Sequence, residues 1–429
     1  MKNLHFKSLF QSEIVRNSSV LLSGNILGQG ITFLFYPILT RIYSEADFGV
    51  FALFTSVCTL LTTIATGRYE ESLVVAKNRK ETANLLGFSI KWLSLFSIVL
   101  LVVLAFFRKP VLQFFEMSKI EVYWVYIPFT VFISGLLFLL NNLANREKKY
   151  KLIASSNVVK NTVNTTFRLL TGLFAWTGIG LILSNLVALF VSAFPYRTLN
   201  KSVIIAMKGK WKEEKYSAWQ YKAFPVFNLS RTFLSSFSTN LPILYLIGFF
   251  DEKKIGLYSM AFIVIYTPIS LITNSLFSTF FENITSCKRE GKSIFPLLKT
   301  YCKSICIYIL PFFILASFIA EPLFRIVLGA KWEESGIYFR YLLPWMFLLL
   351  ATAPLNSIFI IFNKQNKTLW LEVFYLLLRW LALYTGIHFI NFSLGILLFS
   401  MTGVLFSMLS LIWIYVIIRN YTKNIGSIP

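Results

Sequence analysis

The residues best suited to bind a ligand or to take part in chemistry are a few ionisable side chains inside long apolar segments. Lys160, Arg168, Arg231 and Arg379 lie in such segments, and Glu372 is the one carboxylate found deep in them. A charge at the middle of a bilayer costs roughly 2.5–3.5 kcal/mol on insertion scales, so each must face a partner or a water-filled cavity. Because arginine can grip phosphate with two parallel hydrogen bonds, the excess of cations favours an anionic ligand that carries phosphate.

A polar stripe accompanies two of these cations. Asn157, Asn161, Asn164 and Arg168 follow one another at spacings that place them on one face of a helix, and Lys160 lies to one side. Interhelical hydrogen bonding explains such a stripe, and so does the lining of a cavity. We favour the cavity, because a stripe of this length is unsuited to lipid.

Two further segments carry shorter polar faces. Asn25 and Gln29 share a face of the first apolar segment, and Asn228 joins Arg231 in the seventh. Glycines beside the first pair permit close packing of helices; they are Gly24, Gly28 and Gly30. Arg231 lies near one end of its segment, so its side chain can alternatively extend to the membrane surface. We expect the four polar residues to line the same cavity as the cations.

The sequence contains no pattern typical of catalysis or of a metal site. Four cysteines and two histidines are present, no cysteine belongs to a CxxC pair, and two histidines are too few to assemble a Cys/His zinc cluster; they are Cys58, Cys287, Cys302, Cys306, His5 and His388. Phosphate-binding loops, nucleophile elbows and metalloprotease motifs are also missing from the sequence. We therefore predict a protein that is not an enzyme, with no catalytic residue, no cofactor and no metal.

The elements that must position these residues are membrane-spanning helices. Apolar residues make up 56% of the 429 and charged residues only 14%, against about 25% charged in a typical soluble domain. A span needs about 20 mostly apolar residues, and the backbone in lipid must be helical unless it forms a closed barrel. We predict an all-α integral membrane protein with twelve spans, at 18–40, 48–67, 85–107, 122–144, 153–175, 178–198, 224–250, 256–280, 295–320, 338–362, 368–388 and 392–418.

Basic residues orient these spans. With the amino terminus inside, the inner segments hold 25 lysines and arginines and the outer segments hold eight. Cytoplasmic loops carry such an excess, so both termini are predicted to be cytoplasmic. The same pattern accounts for the net charge of +22 without nucleic acid as a partner.

The longest inner segment divides the chain into two halves. Residues 208–223 form a basic amphipathic linker with two tryptophans, which suggests a helix on the anionic cytoplasmic leaflet. We predict an amino-terminal bundle of six helices at 1–207 and a carboxy-terminal bundle of six at 224–429. Short matches between the halves indicate a parallel repeat, which would pair Pro37 with Pro242 and Pro128 with Pro344.

The amino-terminal segment resembles the opening of a known family of bacterial transporters. The strings SGNILGQG, PILTRIYSEADFG and GRYEESLVVAK, within residues 23–77, are similar to those of polysaccharide-transport flippases, which include the O-antigen flippases. This family belongs to the multidrug/oligosaccharidyl-lipid/polysaccharide (MOP) superfamily. The resemblance implies two six-helix bundles arranged as a V around a central cavity, in the bacterial inner membrane.

The resemblance also implies a substrate. It would be an undecaprenyl-diphosphate-linked oligosaccharide, an O-antigen or capsule repeat unit, turned from the cytoplasmic to the periplasmic leaflet. Membrane lipids and other glycan-assembly proteins are further candidate partners. Two alternatives remain open: a cation-coupled multidrug exporter, for which Glu372 would be the coupling residue, and a membrane enzyme of glycan assembly such as a polymerase.

Overall fold

Helices form nearly all of the computed structural model, which describes residues 13–114, 117–362, 364–389 and 391–426. No strand occurs in these ranges. Lys2 and Lys7, counted among the inner basic residues, and His5, one of the two histidines, lie outside these ranges. The first seven helices and their bounds are α1 (Glu13–Ile42), α2 (Glu45–Thr66), α3 (Tyr69–Val75), α4 (Arg79–Phe114), α5 (Tyr126–Arg146), α6 (Tyr150–Leu173) and α7 (Thr177–Ser192).

The remaining helices begin with two short ones. In chain order, these helices are α8 (Asn200–Met207), α9 (Trp211–Gln220), α10 (Leu229–Leu246), α11 (Glu252–Arg289), α12 (Phe295–Ser304), α13 (Leu310–Leu328), α14 (Glu333–Thr352), α15 (Ser357–Ile361), α16 (Gln365–Phe389) and α17 (Phe392–Gly426). Single π-helical turns at Phe224–Asn228 and Ile305–Ile309 lead into α10 and α13.

The predicted spans all fall on helices, which confirms the all-α membrane fold. Nine helical stretches of the described residues are long and apolar enough to cross a membrane by length and composition. The other three predicted spans fall on α1, α6 and α10. These three helices carry the polar faces identified above, and their asparagine, glutamine and arginine side chains lower their hydropathy. The three helices outside this set of nine are therefore ones whose polar faces were predicted to line a cavity.

Two compact units make up the chain, at residues 1–256 and 257–429. In the first unit α1 packs along α6, α6 packs on α7, and α2 contacts α5, α7 and α10. In the second unit α14 packs against α13 and α17, and α17 also packs on α16. Because α10 contacts α2, it is grouped with the first unit although the predicted boundary precedes it. The division into two bundles of six stays a prediction.

The prolines of the predicted repeat all lie in helices. Pro37 and Pro242 are both close to the carboxyl ends of their helices, α1 and α10. Pro128 lies in the first turn of α5, whereas Pro344 lies in the middle of α14. The first pair thus occupies similar helix positions and the second pair does not, and the repeat itself stays a prediction.

The contact of α1 with α6 depends on Gly24 and Gly28. A Cβ atom added at Gly28 would lie 3.0 Å from the backbone oxygen of Asn157. A Cβ atom added at Gly24 would lie 2.5 Å from the Cβ atom of Ala154, whereas one added at Gly30 would meet nothing within 4 Å. Small residues let two membrane helices approach closely, and dispersion between their surfaces then stabilises the pair. Gly24 and Gly28 therefore serve the packing that the sequence suggested for all three glycines, and Gly30 does not.

We expect Gly24→Leu to destabilise the protein by about 1–3 kcal/mol, because the larger side chain separates α1 from α6. Gly30→Leu is the matched control, since it adds the same side chain to the same helix in open space. The melting temperature of detergent-purified protein measures both. Equal melting temperatures for the two variants would show that this contact does not hold α1 in place.

Candidate functional site

The polar faces of α1 and α6 meet each other over part of their length. The side-chain amide of Asn157 donates to Asn25 Oδ1 at 2.7 Å, and that of Asn161 donates to the backbone oxygen of Asn157 at 2.9 Å. Interhelical hydrogen bonding, the alternative left open by the sequence, thus accounts for part of the stripe. Gln29 Oε1 and Asn164 Oδ1 are buried and accept no hydrogen bond within the described residues.

Arg168 ends the stripe in a largely enclosed position. Its side chain is 5% exposed and its guanidinium carbon lies 4.7 Å from the centre of the Phe51 ring. Tyr43 donates its hydroxyl hydrogen to the backbone oxygen of Arg168 at 2.8 Å. The Nε atom of Arg168 has no hydrogen-bond partner within the described residues. The aromatic ring compensates part of the cost of burying this cation.

A cavity of about 480 Å³ lies inside the first compact unit. Helix α2 contributes hydroxyl groups from Thr55, Thr59, Thr62 and Thr63, which share one helix face. The other polar lining residues come from four more helices and are Thr130, Ser134, Asn141, Ser156, Asn157, Asn185, Ser192, Thr232 and Ser236. Such a surface offers many donors and acceptors to a ligand rich in hydroxyl groups.

Two cations and no carboxylate are among the described residues that line this cavity. They are Lys160 on α6 and Arg68, which follows α2. Lys160 forms no hydrogen bond or ion pair within the described part of the chain, so its ammonium group is available to a ligand. Of the residues that the sequence assigned to the site, Lys160 and Asn157 line the cavity directly.

Arg68 occupies a tight turn between α2 and α3. Gly67 and Arg68 both have left-handed backbone conformations, with φ of 56° and 58°. For arginine this conformation costs about 1–2 kcal/mol, so the surroundings must hold it in place. Its guanidinium group pairs with Glu70, at 3.1 Å, and with Glu71. Glu71 in turn accepts a hydrogen bond from Asn228 at 2.9 Å, which links the turn to the start of α10.

Sequence reasoning placed Arg68 among the inner loop charges and missed its position in the cavity. A usable signal was present on the preceding helix. Thr55, Thr59, Thr62, Thr63 and Thr66 recur at the spacing of one helix face, directly before the string GRYEE. A polar face that ends at an arginine indicates a cavity lining in the same way as the stripe on α6.

The other predicted site residues lie elsewhere. Arg231 is exposed on α10, and Asn228 holds Glu71 and does not line the cavity. Glu372 and Arg379 belong to α16 in the second unit. The Arg379 side chain is 1% exposed, and its guanidinium carbon lies 4.1–4.3 Å from the ring centres of Tyr375, Phe399 and Trp345.

Glu70, next to Arg68, is a buried carboxyl group outside the apolar spans. Its side chain is 2% exposed. Burial raises the pKa of Glu70, Glu71 raises it further, and Arg68 together with local hydrogen bonds lowers the pKa only in part. The folded protein therefore binds this proton more tightly than the unfolded chain does, and the stability that the proton contributes is lost as pH rises through the folded pKa.

We expect Glu70→Gln to flatten this pH dependence, because glutamine keeps the shape of the neutral acid and cannot ionise. Wild-type melting temperature should fall between pH 5 and pH 8 relative to that of the variant. Thermal unfolding of the two purified proteins across this range checks the sign. A wild-type protein that gains stability relative to the variant as pH rises would contradict it.

Comparisons with known proteins identify both the fold and the family. The chain has the fold of a multidrug-resistance MATE family transporter of the MOP superfamily in its inward-facing conformation, with a TM-score of 0.72 and 12% identity over 95% of this chain and 99% of that one. The outward-facing conformation of such a transporter gives 0.56 and 13% over 95% and 96%. A MOP superfamily transporter from Pyrococcus furiosus gives 0.55 and 13% over 94% and 96%.

A family model described as polysaccharide biosynthesis protein matches residues 38–336. The chain belongs to this family. The resemblance drawn from the amino-terminal strings is thereby confirmed; the match begins after SGNILGQG, covers the other two strings from residue 38 onward and continues to residue 336. A comparison with curated proteins gives no match.

Proposed function

We propose that this protein is a flippase for an undecaprenyl-diphosphate-linked oligosaccharide. It would carry the repeat unit of an O-antigen or capsule from the cytoplasmic to the periplasmic leaflet of the bacterial inner membrane by alternating access. The saccharide and diphosphate would enter the cavity while the polyprenyl tail stays in the bilayer. No covalent bond is made or broken, so the protein acts as a transporter and not as an enzyme.

The observation that carries this proposal is the chemistry of the cavity in the first unit. Its described lining combines hydroxyl and amide groups with Lys160 and Arg68 and contains no carboxylate. Hydroxyl and amide groups suit sugars, and the two cations suit a diphosphate. A volume of about 480 Å³ lies within the usual range of ligand sites. No carboxylate of the described lining faces a cationic drug, since Glu70 and Glu71 lie beside Arg68 and pair with it.

Family and fold support the same proposal from a different direction. The family description names polysaccharide biosynthesis, and the structural relatives are transporters. For the Pyrococcus furiosus transporter, a binding pocket of reversed polarity is said to suggest a different function. In this chain the cavity cations favour an anionic cargo over the cations that a drug exporter carries.

Individual residues receive roles from their positions. Lys160 and Arg68 would hold the diphosphate, and Asn157 would contact the saccharide together with the threonines of α2. The remaining polar residues of α1 and α6 would hold the cavity-lining residues in position; they are Asn25, Gln29, Asn161, Asn164 and Arg168. Asn228 would position Arg68 through Glu71. Arg231 lies outside this arrangement.

Deletion of the gene in its host tests the proposal. We expect surface glycan to disappear while the lipid-linked repeat unit accumulates on the cytoplasmic side, because synthesis continues and only translocation stops. A plasmid copy should restore both. If the deletion strain instead carries single repeat units on its surface without long chains, a polymerase function would replace the flippase. Unchanged glycan with lost resistance to cationic drugs would favour the exporter.

A further inference from the structure

One face of α9 is exposed, basic and aromatic. Lys212, Lys215, Tyr216 and Trp219 recur at intervals of three and four residues, which places them on one side of the helix. Tyr216 is 66% and Trp219 67% exposed. Lys222 extends the same face, and its ammonium nitrogen lies 4.4 Å from the centre of the Trp219 ring. We call these five residues the α9 stripe.

The opposite face of α9 is docked on α4. Glu214 is fully buried, and Lys91 donates to its two carboxylate oxygens at 2.7 and 2.9 Å. Lys80 pairs with Glu213 at 2.9 Å, and Asn84 donates to Ser217 at 3.3 Å. A buried ion pair fixes a helix in one register, because a shift would leave a charge uncompensated. The stripe is therefore held in a defined orientation.

The lysines of the stripe have no acidic counterpart on their own helix. Both glutamates of α9 are neutralised by lysines of α4. Lys212, Lys215 and Lys222 form no ion pair within the described residues. Three ammonium groups are thus left to attract anions from outside the protein, and the two aromatic rings lie beside them.

The neighbouring helix indicates where those anions are. Ile204 and Ile205 on α8, which continues an apolar span, are 53% and 64% exposed. Exposed isoleucines at the end of a span suit the hydrocarbon edge of a bilayer. Tyrosine, tryptophan and lysine together are typical of the headgroup layer that follows it. An anionic phospholipid supplies the negative charge and the apolar surroundings at once, which a soluble acidic protein does not.

We propose that the α9 stripe is a binding site for anionic phospholipids. Lys212, Lys215 and Lys222 bind lipid phosphate groups, and Tyr216 and Trp219 lie among the headgroups. The sequence predicts a surface helix in this region; the docked register assigns the lipid contacts to these five side chains. The site is separate from the cavity and takes a different ligand, so it stands whether or not the transported cargo is as proposed.

Native mass spectrometry of the full-length protein tests this site. The purified wild type is titrated with dioleoyl phosphatidylglycerol or dioleoyl phosphatidylcholine, alongside a variant in which Lys212, Lys215 and Lys222 are glutamine. We expect the variant to bind phosphatidylglycerol between tenfold and about a hundredfold more weakly, and phosphatidylcholine unchanged. Trp219→Ala, with all lysines present, should weaken both lipids by a smaller factor.

A second triple variant controls for net charge. It replaces Lys109, Lys253 and Lys331, which are exposed outside α9, with glutamine and should bind phosphatidylglycerol as the wild type does. An equal loss in both triple variants, or no loss in either, would overturn the proposal. Sodium phosphate should displace no more lipid than sodium chloride at the same ionic strength. Displacement by phosphate alone would also overturn it, because the site would then be one for free phosphate.

Discussion

Lys160→Ala is expected to lower the rate of glycan export by about tenfold to a hundredfold while the protein accumulates normally. A hydrogen bond to a charged group contributes about 1.5–3 kcal/mol, and each 1.4 kcal/mol is a factor of ten. Lys160 lines the cavity and has no protein partner to lose within the described residues. Removal of its ammonium group therefore weakens ligand binding and does not destabilise the folded protein. Surface glycan and membrane protein level, measured together in a flippase-deleted host, give the result.

Two further variants sharpen this test. Lys151→Ala removes an exposed lysine from the same helix and should leave export unchanged. Arg68→Gln combined with Glu70→Gln removes the second cavity cation together with the buried carboxyl group beside it, so that only the partly exposed Glu71 loses its arginine partner. This pair added to Lys160→Ala should abolish export. Normal glycan in the combined variant would refute the cationic cavity.

Arg379→Ala is expected to reduce the amount of folded protein sharply. Three aromatic rings lie within 4.1–4.3 Å of the guanidinium carbon, and truncation of so large a buried side chain leaves a cavity. Large-to-small substitutions of this kind cost about 3–5 kcal/mol, and lost cation–π contacts add to that. On sequence grounds Arg379 belongs with the substrate-binding cations; its aromatic enclosure instead favours a structural role in the second unit. Membrane protein level and melting temperature measure the effect.

Arg379→Met separates the two roles. Methionine retains much of the volume and packs well against aromatic rings but carries no charge. For a structural arginine we expect the methionine variant to accumulate and to export glycan far better than the alanine variant. Normal accumulation with lost export would assign Arg379 to the substrate after all. Glu372→Gln, made alone, tests the coupling role left open by the sequence: a normal level of export would remove Glu372 as a coupling residue.

Much of the fold could be predicted because membrane helices are specified by local composition. A run of about 20 apolar residues is helical in lipid whatever surrounds it. The difficult cases, α1, α6 and α10, were still recognisable because their polar residues keep helical spacing. The docking of α9 was less accessible. It depends on Lys91, within the apolar helix α4, meeting Glu214 from a distant segment, and no local pattern encodes such a pair.

The site was predicted only in part, for a related reason. The stripe on α6 was visible in the sequence, but helical spacing does not say which side chains face a neighbouring helix and which face a cavity. Asn25 and Asn157 therefore bond to each other, and the cavity is lined by Asn157 together with Lys160, at one side of the stripe. Arg68 was missed because a charge at the end of a span normally faces water. In this structure Arg68 lies in a left-handed turn and lines the cavity.

A transport assay with reconstituted protein tests the proposed flippase activity directly. The purified protein is placed in liposomes that carry a fluorescently labelled polyprenyl-diphosphate oligosaccharide in both leaflets, and a membrane-impermeant quencher is added outside. We predict that wild-type protein makes the inner-leaflet label accessible to the quencher, that Lys160→Ala does so at least tenfold more slowly, and that a labelled cationic amphiphile is not moved. Quenching no faster than in protein-free liposomes, or movement of the cationic amphiphile in place of the lipid-linked saccharide, would contradict this prediction.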